Sequence, residues 1–481
     1  MAHSYSSTCA FKSIEDIKGK NITIMGLGLN GGGEAAVRFF LNKGANVLVT
    51  DMKTKEQLQE TINRINSDKS LDTSRLTYRL GEHRIEDFET ADCVIKNPGV
   101  KYDGNKYLAA AKAIETDLSI FLRFTDCPII AVTGSKGKSS TVSAIYYGLS
   151  QAGYKTFLGG NITVSPLTFF DEVTSDTPVV IEFSSWQLAD LRGRKVLKPH
   201  ISIITKIVPD HQNWYGNMED YVADKRLIYA DQDKGDYSIF DAGPDEKGTG
   251  PECGGTWGDL FANESKATVL RYDAEKPRYN LGKLLVPGKH MQTNCQNAAL
   301  VMELMNVPKE KIVKILQSWP GIDHRLQYFY SWENKAGTTF KFYNDTCATV
   351  PEAAAAATQA FEKPVTLLTG GTDKGLELNK FTEAVINKNG TFIPVKAMYF
   401  LSGTATDKIL PELDKAGVKY NGPYSSLTEA LKAIKEDLQK TTENAGQDEV
   451  VVFSPGATSF GMFANEFDRG NQFMNGVKEI F

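Results

Sequence analysis

Residues Ile129 to Val142 hold the side chains of this chain best suited to chemistry. An apolar run, Ile129-Ile130-Ala131-Val132, passes into a glycine turn and then into Gly137-Lys138-Ser139-Ser140-Thr141. That is the order in which a strand feeds a phosphate-cradling loop and the N-terminus of a helix. Glycines let the backbone N–H groups from Gly134, Ser135 and Lys136 through Gly137 to Ser140 close on an anion; Lys138 reaches the outer phosphates, and the Ser139 hydroxyl is placed for Mg²⁺. The loop has a short form, with Val132 where longer ones begin with glycine. An ATP site is expected, against the plainer alternative of a packing turn rich in small residues.

Further on, Val179-Val180-Ile181-Glu182 reads as a buried strand ending in a carboxylate, a way to aim an acidic ligand at Mg²⁺ beside a phosphate loop. Asp210-His211 follows another apolar run, Ile201 to Val208, although a single histidine is more often structural than a ligand. A second glycine turn lies near the start. Gly26-Leu27-Gly28-Leu29-Asn30-Gly31 follows a strand, opens a helix and is answered by Asp51, whose carboxylate is placed to accept from a ribose hydroxyl or a base N–H. Two phosphate sites need a reaction with two phosphorylated ligands. A dehydrogenase would use the Gly26 turn and leave the Gly134 loop idle, whereas an ATP-dependent enzyme acting on a nucleotide-diphosphate substrate uses both.

The composition fits that reading. With 41% hydrophobic and 23% charged residues and a net charge of -5, the chain is an ordinary globular protein without the basic runs of a nucleic-acid or membrane-surface binder. Its six cysteines, at 9, 93, 127, 253, 295 and 347, form neither Cys-x-x-Cys pairs nor a disulfide framework. No leader or membrane-length apolar run is present in the sequence, so a cytoplasmic protein is expected, acting as a monomer without nucleic-acid or membrane partners.

The elements that must position these residues follow from periodicity. Asn21 to Met25, Ala45 to Thr50 and Asp92 to Lys96 read as strands of one sheet, with a helix from Glu34 to Lys43. A second α/β region starts at Pro128. The stretch from Asp231 to Pro287, rich in Gly, Asp and Lys, reads as an irregular or β-rich insertion. A third region carries an alanine-rich helix from Pro351 to Phe361 and strands at Val365 to Thr369, Met398 to Leu401 and Val450 to Phe453. Three α/β domains in series, 1–116, 117–321 and 322–481, are the economical division of the 481 residues.

Taken together, these stretches resemble the Mur ligase family, which joins amino acids to UDP-N-acetylmuramoyl substrates in peptidoglycan synthesis. The likeness rests on Thr133 to Thr141, Gly159 to Ile162, Glu182 to Leu188, Asp210-His211, Tyr221 to Lys225, Asp323 to Arg325, Asn344-Asp345 and Gly370 to Gly375, in family order over nearly the whole chain. Within the family, the Gly26 to Asn30 turn, Asn97-Pro98-Gly99, Ser454 to Ser459 and Asp468 to Gly470 look like the branch that adds D-glutamate to UDP-N-acetylmuramoyl-L-alanine. The resemblance implies a Rossmann-like UDP-binding domain, a central P-loop ATPase domain, a C-terminal Rossmann-like domain, and an acyl-phosphate mechanism.

Residue by residue, the resemblance implies that Gly28, Leu29, Asn30, Asp51, Asn97 and Asn161 bind the UDP substrate. It implies that Lys138 and the loop serve ATP with Asn294, Arg325 and Asp345, and that Ser139 and Glu182 hold one Mg²⁺. His211 and Lys225 would support a second, Lys225 as a carbamate formed with CO₂. Thr349, Lys374 and Ser459 would receive glutamate. Two points stay open. The adenine contact falls at His290 to Asn294 or, in a shifted register, at Asn294 with Asn297. Cys347 stands where the D-glutamate pattern has lysine, and Glu466 where it has an aromatic, so the ligase chemistry is better specified than the amino acid. Another Mur-type ligase, including one adding L-glutamate, a folylpolyglutamate synthase-like ligase and a non-catalytic nucleotide-binding regulator are the rival readings.

Overall fold

Three sheets are built from strands of two to seven residues, and the central ones are short, largely apolar and buried. The computed structural model describes residues 3–28, 31–361, 363–386, 394–442 and 446–481. The chain divides into two compact units, Met1–Asn280 with Thr293–Ile315, and Leu281–Gln292 with Leu316–Phe481.

The first unit holds two sheets. Strands β1 (Asn21–Met25), β2 (Asn46–Asp51), β3 (Leu76–Leu80), β4 (Cys93–Lys96) and β5 (Ile114–Glu115) form an all-parallel sheet in the order β3-β2-β1-β4-β5. The order reverses between β1 and β4, and their carboxyl ends open the crevice in which such sheets bind ligands. Gly26 follows β1 and Asn97 follows β4, so both expected UDP-substrate segments meet there.

The second sheet comprises β6 (Ile129–Thr133), β7 (Phe157–Gly160), β8 (Val179–Glu182), β9 (Ile201–Ile204), β10 (Tyr237–Asp241) and β11 (Thr268–Tyr272), again all parallel, in the order β11-β10-β9-β6-β8-β7. Here one expectation is corrected. The stretch from Asp231 to Pro287 is not an insertion: it supplies β10, the helix Trp257–Glu264 and β11, which extend the central sheet to its edge. The β-rich character was legible, but the edge strand β11 is only partly buried, so no continuous apolar run marks it as part of the sheet.

The second unit carries β12 (Gln327–Glu333), β13 (Thr339–Asn344), β14 (Val365–Gly370), β15 (Val395–Leu401), β16 (Asn421–Tyr424) and β17 (Asp448–Phe453) in the order β12-β13-β17-β14-β15-β16. Only β12 runs antiparallel to its neighbour. The last strand, β17, returns to the middle, which brings Ser454 beside Asp345 at the end of β13. Among the described residues no helix is long and apolar enough to cross a membrane.

Candidate active site

The phosphate loop is fixed by what flanks β6 on either side. Gly134 has φ +144°, and a side chain there would place Cβ 2.0 Å from Thr205 Oγ1, on the segment after β9. Gly137, at φ +91°, caps the helix Lys138–Ala152 and faces Asn294, whose Oδ1 lies 2.5 Å from where a Cβ would stand. Glycine is therefore required at both positions. Asn294 thus lies at the loop, and Asn297, fully buried, lies one turn further along the helix Lys289–Leu304.

Not every loop group points toward a ligand. The N–H groups of Ser135 and Lys136 donate to Lys206 O at 2.9 and 3.2 Å. The Ser135 hydroxyl donates to Val208 O at 2.8 Å and accepts from Tyr221 OH at 3.0 Å. Ser135 thus braces the loop, and the Lys136 side chain is exposed near Asp210, 3.9 Å away. The first-turn N–H groups at Lys138, Ser139 and Ser140 have no carbonyl within the helix to bond. They lie where an anion needs donors.

Two lysines converge on this loop. Lys138 Nζ donates to Gly134 O and Ser135 O, both at 3.0 Å, and burial holds its pKa below the ordinary lysine range. Lys225 is 2% exposed and donates to the same Gly134 O at 2.9 Å. Burial first, and then the charge of Lys138, depress its pKa to about 7. It lies on the helix Met218–Arg226, one turn after Tyr221, whose ring sits 4.5 Å beneath Nζ. The role of Tyr221 was missed from the sequence, although the i,i+4 spacing places both side chains on one helix face.

Glu182 ends β8 opposite Val132 in the neighbouring strand and is 1% exposed. Its Oε1 accepts from Asn161 Nδ2 at 2.9 Å, and its buried Oε2 has no hydrogen-bond partner. A buried carboxylate oxygen left unpaired is costly unless a cation or donor completes it. His211 adopts a left-handed conformation, φ +51°, with its ring centroid 5.0 Å from that of Trp186. Trp186 follows Glu182 in the stretch Glu182 to Leu188 and is a second residue whose part the sequence did not indicate.

Among the described residues no three His, Cys, Asp or Glu side chains gather as a ready-made metal site. Mg²⁺, however, is commonly held by one or two carboxylates together with phosphate oxygens and water. The free oxygen of Glu182 beside the phosphate loop fits that donor set.

In the first sheet's crevice, Asp51 Oδ2 accepts from Gly28 N at 3.1 Å and Oδ1 from Lys53 N at 2.9 Å. The carboxylate foreseen as a ribose acceptor therefore also holds the glycine turn. Leu29 and Asn30 lie outside the described residues. Asn97 packs against Gly26 and Gly28, within 3.7 Å of where their side chains would be. Asn161 lies instead at Glu182, to which its backbone N–H also donates, at 2.9 Å to the carbonyl. Two residues on, Thr163 O lies 3.3 Å from a Cβ built at Gly31, so the Asn161 segment and the glycine turn are neighbours.

In the second unit, Arg325 is exposed between His324 and Leu326, both at positive φ. Asp345 fastens that turn: it accepts from Leu326 N at 3.0 Å and from Ser454 Oγ at 2.6 Å, and burial raises its pKa to about 7. Lys374 Nζ donates to Thr349 Oγ1 at 3.4 Å. A bridge between Thr372 and Thr458 sets Lys374 and Ser459 on paired segments, and Ser459 lines a cavity of about 270 Å³ with Thr372, Thr458 and Arg469. Cys347 lies near Arg325 and Glu466, and burial raises its thiol pKa.

Comparison with known proteins places this arrangement among peptidoglycan enzymes. Residues 132–249 match the family described as Mur ligase middle domain, and residues 20–118 the one described as Mur ligase MurD-like, N-terminal domain. Over 97% of its length the chain is 37% identical to the UDP-N-acetylmuramoylalanine–D-glutamate ligase of Treponema pallidum (strain Nichols), covering 98% of that protein. It is 35% identical to the ligase of the same name from Borreliella burgdorferi (strain ZS7), over 97% of this chain and 99% of the relative. Among solved structures, the UDP-N-acetylmuramate-alanine ligase of Thermotoga maritima has the same fold, with a TM-score of 0.52 at 16% identity over 96% of this chain and 99% of that one.

Proposed function

The chain belongs to the Mur ligase family, the ATP-dependent acid–amino-acid ligases of peptidoglycan precursor synthesis, and from that premise we propose that it adds D-glutamate to UDP-N-acetylmuramoyl-L-alanine. The observation that carries the reading is the convergence of Lys138, Lys225 and the unpaired Glu182 oxygen on the loop at Gly134. We place the reaction in the cytoplasm and assign it to a monomer.

A carboxylate is a poor electrophile, so the terminal carboxylate of the UDP substrate first attacks the γ-phosphorus of ATP, which gives an acyl phosphate and ADP. The amine of glutamate then attacks the acyl carbon; the amide bond forms and phosphate leaves. Lys138 and the N–H groups of the first helical turn offset charge on the transferring phosphoryl oxygens. Ser139 and Glu182 would hold one Mg²⁺, with His211 and Lys225 supporting a second; the ions supply neutralising charge to phosphate and carboxylate oxygens.

Lys225 suits its part only after its charge is changed. As an ammonium it would oppose a metal, and its burial beside Lys138 already disfavours the proton. The neutral amine adds to CO₂: an N–C bond forms, one proton leaves for solvent, and a carbamate anion remains. Its remaining N–H can keep the bond to Gly134 O. Asn294 is assigned to the adenine side of the loop. The nucleotide roles of Arg325 and Asp345 rest on the family resemblance.

In the second unit, Thr349, Lys374 and Ser459 are assigned to glutamate. Cys347 removes one cation expected there, which favours a second reading in which the amino acid differs. Phosphate release with ATP, UDP-N-acetylmuramoyl-L-alanine and a panel of amino acids separates the two. D-glutamate is expected to give the fastest turnover. Faster turnover with L-glutamate or with a neutral or diamino acid would overturn the substrate. No release with any acceptor would leave a nucleotide-binding protein without ligase activity.

A further inference from the structure

A buried ion pair links the two sheets of the first unit at the foot of the UDP-substrate crevice. Lys96, the last residue of β4, is 2% exposed, and its Nζ donates to Asp190 Oδ2 at 2.8 Å and to Asn97 O at 3.1 Å. Asp190 directly follows the helix Ser185–Ala189, and its other oxygen accepts from Tyr5 OH at 3.1 Å. Beside it, Arg194 Nε donates to the Asp190 carbonyl at 2.6 Å, and Nη1 to Glu115 Oε2 of β5 at 2.9 Å.

Buried pairs of this kind gain little stability over apolar residues of similar size, because desolvation offsets the attraction. A geometric role fits better. Asn97 O accepts from Lys96 Nζ and from Val100 N, at 3.0 Å, so both ends of the turn after β4 are pinned through one carbonyl. The Asn97 side chain packs on Gly26 and Gly28, the glycines of the opposite lip of the crevice. At the other end, the helix that precedes Asp190 carries Trp186, whose ring lies against His211. Lys96, Pro98, Trp186 and Asp190 share the lining of one cleft of about 520 Å³.

We propose that Lys96 and Asp190 are a positioning pair for the UDP substrate: Asp190 aims the Lys96 ammonium at Asn97 O, and this sets the Asn97-Pro98 turn at the crevice and its register with the helix facing His211. The proposal rests on the assignment of the UDP substrate to the first sheet. Two of the three Lys96 N–H donors are committed to these partners, and the side chain is 2% exposed.

The test compares wild type with Lys96→Met, Asp190→Asn and the double variant Lys96→Met/Asp190→Asn, using calorimetric binding of UDP-N-acetylmuramoyl-L-alanine and, separately, of ATP. The double variant carries no unpaired charge from this pair, so its melting temperature should stay near that of wild type, while Asn97 O has lost its Lys96 donor and keeps only Val100 N. Its Kd for the UDP substrate should rise about tenfold, with that for ATP within about twofold. Asp190→Asn alone should move the same Kd in the same direction and carries the test if Lys96→Met does not fold. A UDP-substrate Kd within about twofold of wild type in the folded variants would overturn the positioning role. Wild type that binds ATP but not the UDP substrate would instead overturn the assignment of the crevice, and this inference with it.

Discussion

At the carbonyl of Gly134 two lysines share one acceptor, and the consequences differ for each. Lys138→Ala should lower turnover by more than about tenfold without unfolding the protein, since contacts that strengthen on a transferring phosphoryl group are worth at least ~2 kcal/mol. A residual rate above a tenth of wild type would remove Lys138 from the transition state. Lys225 has a pKa of about 7 when folded, below the unfolded lysine value. Between the two values the unfolded chain binds the extra proton, so stability should rise with pH from about 7 toward about 10, the cost being fully present below the folded value. Thermal melts in CO₂-depleted buffer should show that rise in wild type and a flatter profile in Lys225→Met. For activity, Lys225→Ala should be inactive and partly restored by acetate or formate, whereas Lys225→Arg should not be restored. Lys374→Ala should raise the KM for glutamate about tenfold, leaving those for ATP and the UDP substrate little changed, as expected for a charge-assisted contact.

At the scale of elements, chemistry collects where parallel strands end. The loop after β6, Glu182 at the end of β8 and Asn97 after β4 are each placed by a buried strand whose sequence is apolar up to its last residue. These runs were legible in the sequence, and so were the glycine turns that follow them. The edge strand β11 was legible only as part of a β-rich stretch, because a half-exposed edge carries polar residues that read as loop. Partners brought together across the fold were also hidden: the Asn161–Glu182 and Asp51–Gly28 bonds span 21 and 23 residues, and no local pattern announces them. The second bond changes what Asp51→Ala should do. It should raise the KM for the UDP substrate with little effect on ATP, and Asp51→Asn should recover part of the loss, because an amide oxygen can still accept from Gly28 N–H. Equal damage from both substitutions in steady-state kinetics would favour a direct role for the charge over the turn.

For the whole molecule, family membership follows from likeness over nearly the entire length of both chains, and the ordered motifs had already pointed to it. The acceptor is harder to infer, since Cys347 and Glu466 depart from the D-glutamate pattern while the phosphate-loop residues keep the family pattern. The central claim joins the two parts: one chain activates a carboxylate as an acyl phosphate and passes it to D-glutamate. Mass spectrometry of a reaction with ATP, Mg²⁺, D-glutamate and UDP-N-acetylmuramoyl-L-alanine carrying ¹⁸O in its terminal carboxylate tests that claim directly. The expected result is the D-glutamyl amide together with inorganic phosphate that has acquired one labelled oxygen. Unlabelled phosphate, or phosphate released without the amide, would contradict it.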